Sequence, residues 1–470
     1  MFTAFRISST YRQYMVAFIA NFSTLLYGIS VGWVSPTVPK LMSVDTPLPI
    51  GPITVEQASL ISALLYIGGL VGSLSFGWLA GRIGRKWALF CGTVPHIFAH
   101  LLIIFAKSFA FLYVSRILSG LGCGATFVAL PIYVSEISED RLRGIMGAIF
   151  CNMVSMGLVI GRALGSYLDF YVVPYAVLVV LAIFVIVFPM FPETPQYLLL
   201  KQRDDIAEKS LRFLRGVSRD LKVPMPVAVQ DEFNALKSSP TLSNQSLSIS
   251  LADFRPLATR RAILISLVLI SGRSLCGVLP LDNYTASILV ESGSNWSPDI
   301  SAIIVGIFEL VGSNLAIFFI DRNGRRVILI ASSLGGALFI TLLGSIFFAK
   351  SYFNVDTSSF SWLSILALGG FMTLAAIGMV AIPLSVSAEV LPPKLRSLVC
   401  TTFMLLYWAM TFAIVNFFLT FSNIVGMYTP MWLFACWCLF EMTFVYFILP
   451  ETKGKSFDEV ALELEGKRNK

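Results

Sequence analysis

Charge is scarce in this 470-residue chain: Asp, Glu, Lys and Arg supply 13% of it, hydrophobic residues 56%, and the mean hydropathy is +0.79. Soluble domains carry about 25% charged residues, so an ordinary soluble fold is excluded. Histidine is scarcer still. The only two, His96 and His100, stand four apart on one helical face, but "HIFAH" lacks the glutamate of HExxH, and a polar stripe rather than a metal site is expected. The polar segments hold no glycine-rich phosphate loop and no nucleophile–base pair, which argues against an enzyme, against ATP-driven pumping and against a cofactor. All seven cysteines lie in apolar runs and read as buried packing thiols, not a disulfide framework. The first apolar run has no A-x-A-like cleavage site, so it is expected to stay as a helix.

What the chain has is apolar length. A hydrocarbon core of about 30 Å is crossed by about 20 helical residues, and runs of that size lie at 14–34, 58–80, 88–106, 110–134, 144–168, 173–191, 261–289, 300–320, 327–349, 361–387, 397–421 and 429–449. The expected fold is an all-α polytopic membrane protein whose main partner is the lipid bilayer. With both termini in the cytosol, 28 of the 34 basic residues fall on the cytosolic side, as the positive-inside rule requires. Lys40, Lys107 and Lys350 remain outside, and Arg116, Arg162 and Arg273 lie within spans. The net charge of +7 then reflects topology, with no nucleic-acid partner. Asn295-Trp296-Ser297 is a glycosylation sequon in a short outside loop.

The chain also repeats itself. "LAGRIGRK" (79–86) matches "FIDRNGRR" (319–326), "SEISEDRLRG" (135–144) matches "AEVLPPKLRS" (388–397), and "PETP" (192–195) matches "PETK" (450–453). Three matched loops in one order mean duplicated halves, divided as a six-helix bundle at 1–191, a cytosolic linker with short helices at 192–260, a second bundle at 261–449 and a tail at 450–470. Within the linker, 197–216 has helical periodicity ending at Gly216, and 238–250 reads as a tether. Arg82, Arg85, Lys86, Glu136, Arg143 and Glu193, with their counterparts Asp321, Arg322, Arg325, Arg326, Glu389, Arg396 and Glu451, are expected to latch the two halves together at the membrane surface.

Together with "SRILSGLGCGA" (115–125), "PETPQYLL" (192–199), "IPLSVSAEVLPPKLRS" (382–397) and "LPETKGK" (449–455), these loops make the chain resemble the sugar-porter family of the major facilitator superfamily. The "GWVSP" at 32–36 is most similar to insect-type trehalose and glucose facilitators. The resemblance implies two pseudo-symmetric six-helix bundles around a central sugar site, exposed alternately to each side, in a plasma-membrane protein that works as a monomer. It also exposes departures. Gly81 stands where the first loop of the family has an acid or amide, and Gln196 where it has a cation. The family's helix-five glutamine aligns with Cys151, and its "QQLSGIN" with "RSLCGVL" (273–279), which puts Arg273, Ser274 and Leu279 at amide positions. Glu309 and Leu384 replace an asparagine and a tryptophan, Tyr407 precedes the retained Trp408, and Tyr284 keeps a gate position. Amides suit sugar hydroxyls because each offers donors and acceptors. The expected function is facilitative uniport of a sugar such as trehalose or glucose, since residues 14–37 hold no Asp or Glu to carry a proton. Two alternatives are a carrier of a different, charged solute and a non-transporting receptor or regulator.

Counting depth from Arg261 and Asp321, both Arg273 and Glu309 lie about 18 Å into the membrane at 1.5 Å per residue. The sequence therefore predicts a buried Arg273–Glu309 pair with Trp408 beside it, Glu441 being a rival partner. Arg162 is expected to snorkel to the outer surface.

Overall fold

The computed structural model describes residues 9–139, 141–220, 222–238, 250–293, 296–354, 361–455 and 457–465. Among these, the secondary structure is entirely helical, as a chain in hydrocarbon must be to satisfy its own backbone. Twelve helices are long and apolar enough to span a membrane: Ser9–Met42, Val55–Ile83, Arg85–Ile104, Phe109–Ile137, Gly144–Tyr167, Val173–Met190, Leu257–Asn283, Pro298–Ile320, Arg325–Phe353, Ser361–Val390, Pro393–Val425 and Tyr428–Ile448. They match the twelve sequence runs one for one. The first extends well beyond 14–34, because the polar stretch before Tyr14 continues the helix and packs on the linker.

Both ends of the described chain sit on one face of the bundle, here called the terminal face. Ser9 Oγ donates to Glu139 at 2.9 Å and Arg12 Nη1 to the Phe213 carbonyl at 3.1 Å. At the other end, Arg261 Nη1 donates to the Leu464 carbonyl at 2.6 Å. The linker helices Pro195–Leu200, Asp204–Leu214 and Val227–Ser238 lie on the same face. The continuous helix expected over 197–216 is broken at Gln202, whose φ of 57° ends the first short helix, while Gly216, at φ 75°, stops the second as read from sequence. Most of the tether, 239–249, lies outside the described residues, as does Asn295 of the sequon.

The internal repeat is visible as one capping device used twice. Gly84 and Gly324, at φ 108° and 84°, turn the second span into the third and the eighth into the ninth. A side chain at either glycine would collide with a carboxylate, Glu193 or Glu451. Glu193 accepts the Lys86 backbone N–H at 3.0 Å, and Glu451 accepts those of Arg325 at 2.9 Å and Arg326 at 3.1 Å. In each half, a carboxylate from beyond the last span caps the free N–H groups of a helix start and meets its positive dipole end.

The seventh and tenth spans depart from regular α-helix along their length. The seventh changes direction after Leu257–Leu275 at Gly277, whose φ of 86° starts the segment Val278–Asn283. The tenth widens into a π-turn at Ala376–Val380 before Ile382–Val390. Such breaks persist in membranes where they are buried or line a cavity, and both line the cavity described next.

Candidate functional site

A cavity of about 440 Å³ opens on the terminal face between the halves. Ser135 and Gly144 of the first half and Ser385 and Arg325 of the second form its mouth, and Cys151, Phe150 and Arg273 lie at its inner end. Beyond them a smaller chamber of about 50 Å³ continues between Tyr27, Ser155, Leu279, Asp282, Glu309 and Tyr407. The cavity and the chamber share Cys151, Arg273, Phe150 and Ser313.

The far side is sealed by a buried ion pair that sequence reasoning missed. Arg162, fully buried, donates from Nη2 to Asp282 Oδ1 at 2.8 Å and to Thr285 Oγ1 at 3.1 Å, and from Nη1 to the Ala302 carbonyl at 3.3 Å. The expectation that Arg162 snorkels to the surface is thus wrong. Its depth was judged from its own helix, but the seventh and eighth spans close over it, and a cation with no route to water takes a carboxylate. Gly306 gives it room, since a side chain there would meet Nη1. The available signal was Asp282 itself, an acid inside the apolar run 261–289. Further bonds join the halves on this side: Ala286 N–H to Ser35 Oγ at 3.0 Å, Ser166 Oγ to Asp299 at 3.1 Å and Asn283 Nδ2 to Tyr66 Oη at 2.7 Å.

The predicted Arg273–Glu309 pair does not form. Both side chains line the inner chamber, but no ion pair joins them; Glu309 shares that lining with Asp282 and Ser155, and its Oε2 has no hydrogen-bond partner among the described residues. Equal depth left rotation about the helix axis open, and at 100° per residue rotation decides which neighbour a side chain meets. Glu441 is not the partner either. It is buried against Gly272, and neither of its oxygens has a hydrogen-bond partner. Arg273 instead lies over the Tyr407 ring, 5.0 Å from its centroid, and none of its side-chain nitrogens makes an ion pair or hydrogen bond among the described residues.

Trp408 is also differently placed. It is fully buried, donates from Nε1 to Ser73 Oγ at 3.0 Å, and packs edge-on against Phe127 and Tyr27 at 5.2 and 6.4 Å. It joins the second span to the eleventh and is no platform for Arg273; Tyr407, one residue earlier, takes that role. Ser274 turns away from the chamber to Thr411 Oγ1 at 2.7 Å. Tyr284 stacks on Phe418 at 5.5 Å and donates to the Val415 carbonyl at 3.1 Å, on the sealed side. Leu384 lines the cavity wall. Arg116, inside the fourth span, has no carboxylate either: it donates to the Ile61 carbonyl at 2.9 Å and to the Ser30 carbonyl at 2.6 Å. His100 Nδ1 bonds to the His96 carbonyl at 2.8 Å. All seven cysteines are free, but only Cys123, Cys276 and Cys438 are buried; Cys151 reaches the cavity and Cys436 is exposed.

Among the described residues, the charged loops form ion pairs within each half and none between the halves. Arg85 meets Glu136 at 3.1 Å and Arg325 meets Glu389 at 3.3 Å, with the cavity mouth between them. Thr194 Oγ1 adds a bond to Glu136 at 2.6 Å. Arg82 stacks on Trp78 at 4.4 Å, Arg326 lies over Tyr446 at 5.9 Å, Arg396 donates weakly to the Leu391 carbonyl at 3.4 Å, and the Arg322 carbonyl accepts from Lys453 at 2.9 Å. The side chains of Arg143 and Asp321 lie outside the described residues. Outside the spans, burial pushes the Glu193 carboxyl up despite two backbone N–H bonds. Glu451 is also opposed by desolvation, but four backbone donors hold it below the usual carboxylate range.

A family profile described as sugar (and other) transporter matches residues 7–464. The facilitated trehalose transporter Tret1 of Bombyx mori is 29% identical over 456 residues, covering 96% of this chain and 86% of that protein. The sugar transporter ERD6-like 6 of Arabidopsis thaliana is 29% identical over 453 residues, covering 94% and 88%. Among solved structures, the inward-open conformation of the xylose transporter XylE from E. coli superposes with a TM-score of 0.77 at 18% identity, covering 95% of this chain and 99% of that one. Two bundles enclosing a cavity that is open on one face and bolted on the other are the architecture of an alternating carrier, and the chain belongs to the sugar (and other) transporter family, as a multi-pass membrane transporter of the major facilitator fold and not an enzyme.

Proposed function

We propose that the protein is a facilitative uniporter of a small sugar-like solute, with trehalose and glucose the first to test, and that it works by alternating access. The halves 1–191 and 261–449 rock about the chamber, the linker 192–260 and tail 450–470 lie in the cytosol with both termini, and a monomer in the plasma membrane suffices. The observation that carries this reading is the cavity itself: about 440 Å³, within the roughly 300–1,000 Å³ of small-molecule sites, reaching mid-membrane from one face and stopped by Arg162–Asp282 short of the other. Basic residues crowd the terminal face, which supports a cytosolic orientation, and the conformation is then the one open to the cytosol.

Uniport is supported by the first span, where Arg116 finds the Ser30 carbonyl and no acid. Coupling to a proton is the second reading, favoured by two acids, Asp282 and Glu309, lining one chamber. Counterflow in proteoliposomes tests transport, and net uptake tests coupling. The expected results are saturable exchange and an uptake that survives a protonophore at clamped voltage. Uptake abolished by the protonophore moves the reading to coupling through Asp282 and Glu309, and no exchange with any sugar, polyol or organic ion removes the transport reading.

A further inference from the structure

From the charges around the inner chamber we infer that Arg273 is a binding site for a small monocarboxylate, so that the solute is an acid, a sugar acid being the member nearest to the proposed sugar. This rests on the transporter reading for its physiological use but not for the binding itself. The charges around the chamber are Arg162, Asp282, Glu309 and Arg273. Arg162 meets Asp282 at 2.8 Å, and Glu309 lines the same chamber. Among the described residues neither carboxylate pairs with Arg273, whose guanidinium meets only the Tyr407 ring.

The guanidinium of Arg273 is half-buried at the junction of cavity and chamber. Stacking on Tyr407 uses its face and leaves its N–H edge free, and that edge matches a carboxylate with two parallel hydrogen bonds. The carbonyl end of the helix Leu257–Leu275 lies beside it, which makes a cation tolerable there. That end accounts for the charge but gives the outward donors no partner, and a charge at mid-membrane persists where it meets a partner or serves a solute. One unpaired cation selects a monoanion over a dianion such as phosphate. The nearby polar groups Ser313, Ser385 and Asn21 are few, and Leu384, Phe150 and Val380 make the remaining wall apolar, which suits a small body with one charged end.

The test is binding of D-glucuronate, L-lactate and D-glucose to the purified full chain at constant ionic strength, followed by thermal unfolding and by counterflow in proteoliposomes. D-glucuronate, L-lactate or both should stabilise the native protein at lower concentration than glucose. Arg273→Gln should weaken that acid's affinity roughly 10- to 100-fold, the range of a charged hydrogen-bonded contact, without weakening glucose. Arg273→Lys, which keeps the charge but not the fork, should fall between them and guards against a folding defect in the glutamine variant. Neither acid binding better than glucose, or an affinity unchanged in Arg273→Gln, overturns the site. Acid binding without exchange of any solute upholds the site and removes the transporter reading.

Discussion

Neutralising Asp282 should unlock the face opposite the terminal one. Arg162 and Asp282 lie in different halves and are 0% and 1% exposed, so opening that face must pull them apart and hydrate both. In Asp282→Asn an acceptor remains for Nη2, but a charge-assisted bond becomes a neutral one, a loss of about 1 to 1.5 kcal/mol. That is roughly a tenfold shift in the ratio of the two conformations. In Asp282→Ala only Thr285, the Ala302 carbonyl and the backbone carbonyl at position 282 still hold the guanidinium, and breaking a buried pair from one side costs about 3–5 kcal/mol, a shift of at least a hundredfold. Arg162→Met with Asp282→Leu should fold well, since removing both charges leaves none stranded. The readout is a cysteine at Ser35, whose hydroxyl accepts the Ala286 N–H across the sealed side, in a background without the seven native cysteines. Its labelling by an impermeant maleimide from that side should quicken in the order native, Asp282→Asn, Asp282→Ala. Equal rates in all three would refute the view that this pair is the bolt.

Three further outcomes are expected. Glu389→Lys places like charges at the Arg325 contact on the cavity rim and should hinder closure of the terminal face, slowing Ser35→Cys labelling; the pair is partly exposed, so the effect should stay below about 1 kcal/mol, and faster labelling would count against it. Gly28 and Gly157 let the first and fifth spans touch backbone to backbone, so Gly28→Leu should force the spans apart and lower the yield of folded protein in size-exclusion chromatography, whereas Gly81→Ala, in open space, should not. Because burial raises Glu193, its ionisation opposes folding, and native stability from this group is lost as pH rises through the carboxylate range; Glu451 is lowered, and its contribution is lost as pH falls through that range. Thermal unfolding against pH should therefore change with opposite slopes in Glu193→Gln and Glu451→Gln, and equal slopes would contradict the two environments.

The spans were legible because hydrophobic length is a local property. The duplication of the loops was legible too, since a repeat keeps its glycine and its carboxylate at fixed spacing; the role of Glu193 and Glu451 was not, because each caps a helix start within its own half and does not latch the halves together. Arg273 and Glu309 line one chamber. Their pairing was not legible, and neither was the bond between Arg162 and Asp282, two residues 120 positions apart, nor the exchange of roles between Tyr407 and Trp408.

Composition, the positive-inside bias and the three repeated loops by themselves determined a twelve-span membrane protein built from two related halves, because each depends on a residue's own chemistry or on its near neighbours. Only the tertiary structure decided which charges meet, which face is bolted and which guanidinium stays free. In a bundle every span offers a full circumference, and the rotation of one helix against the next, together with the breaks at Gly277 and Ala376–Val380, selects the partner. That rotation is fixed by packing among all twelve spans and is written in no single one of them.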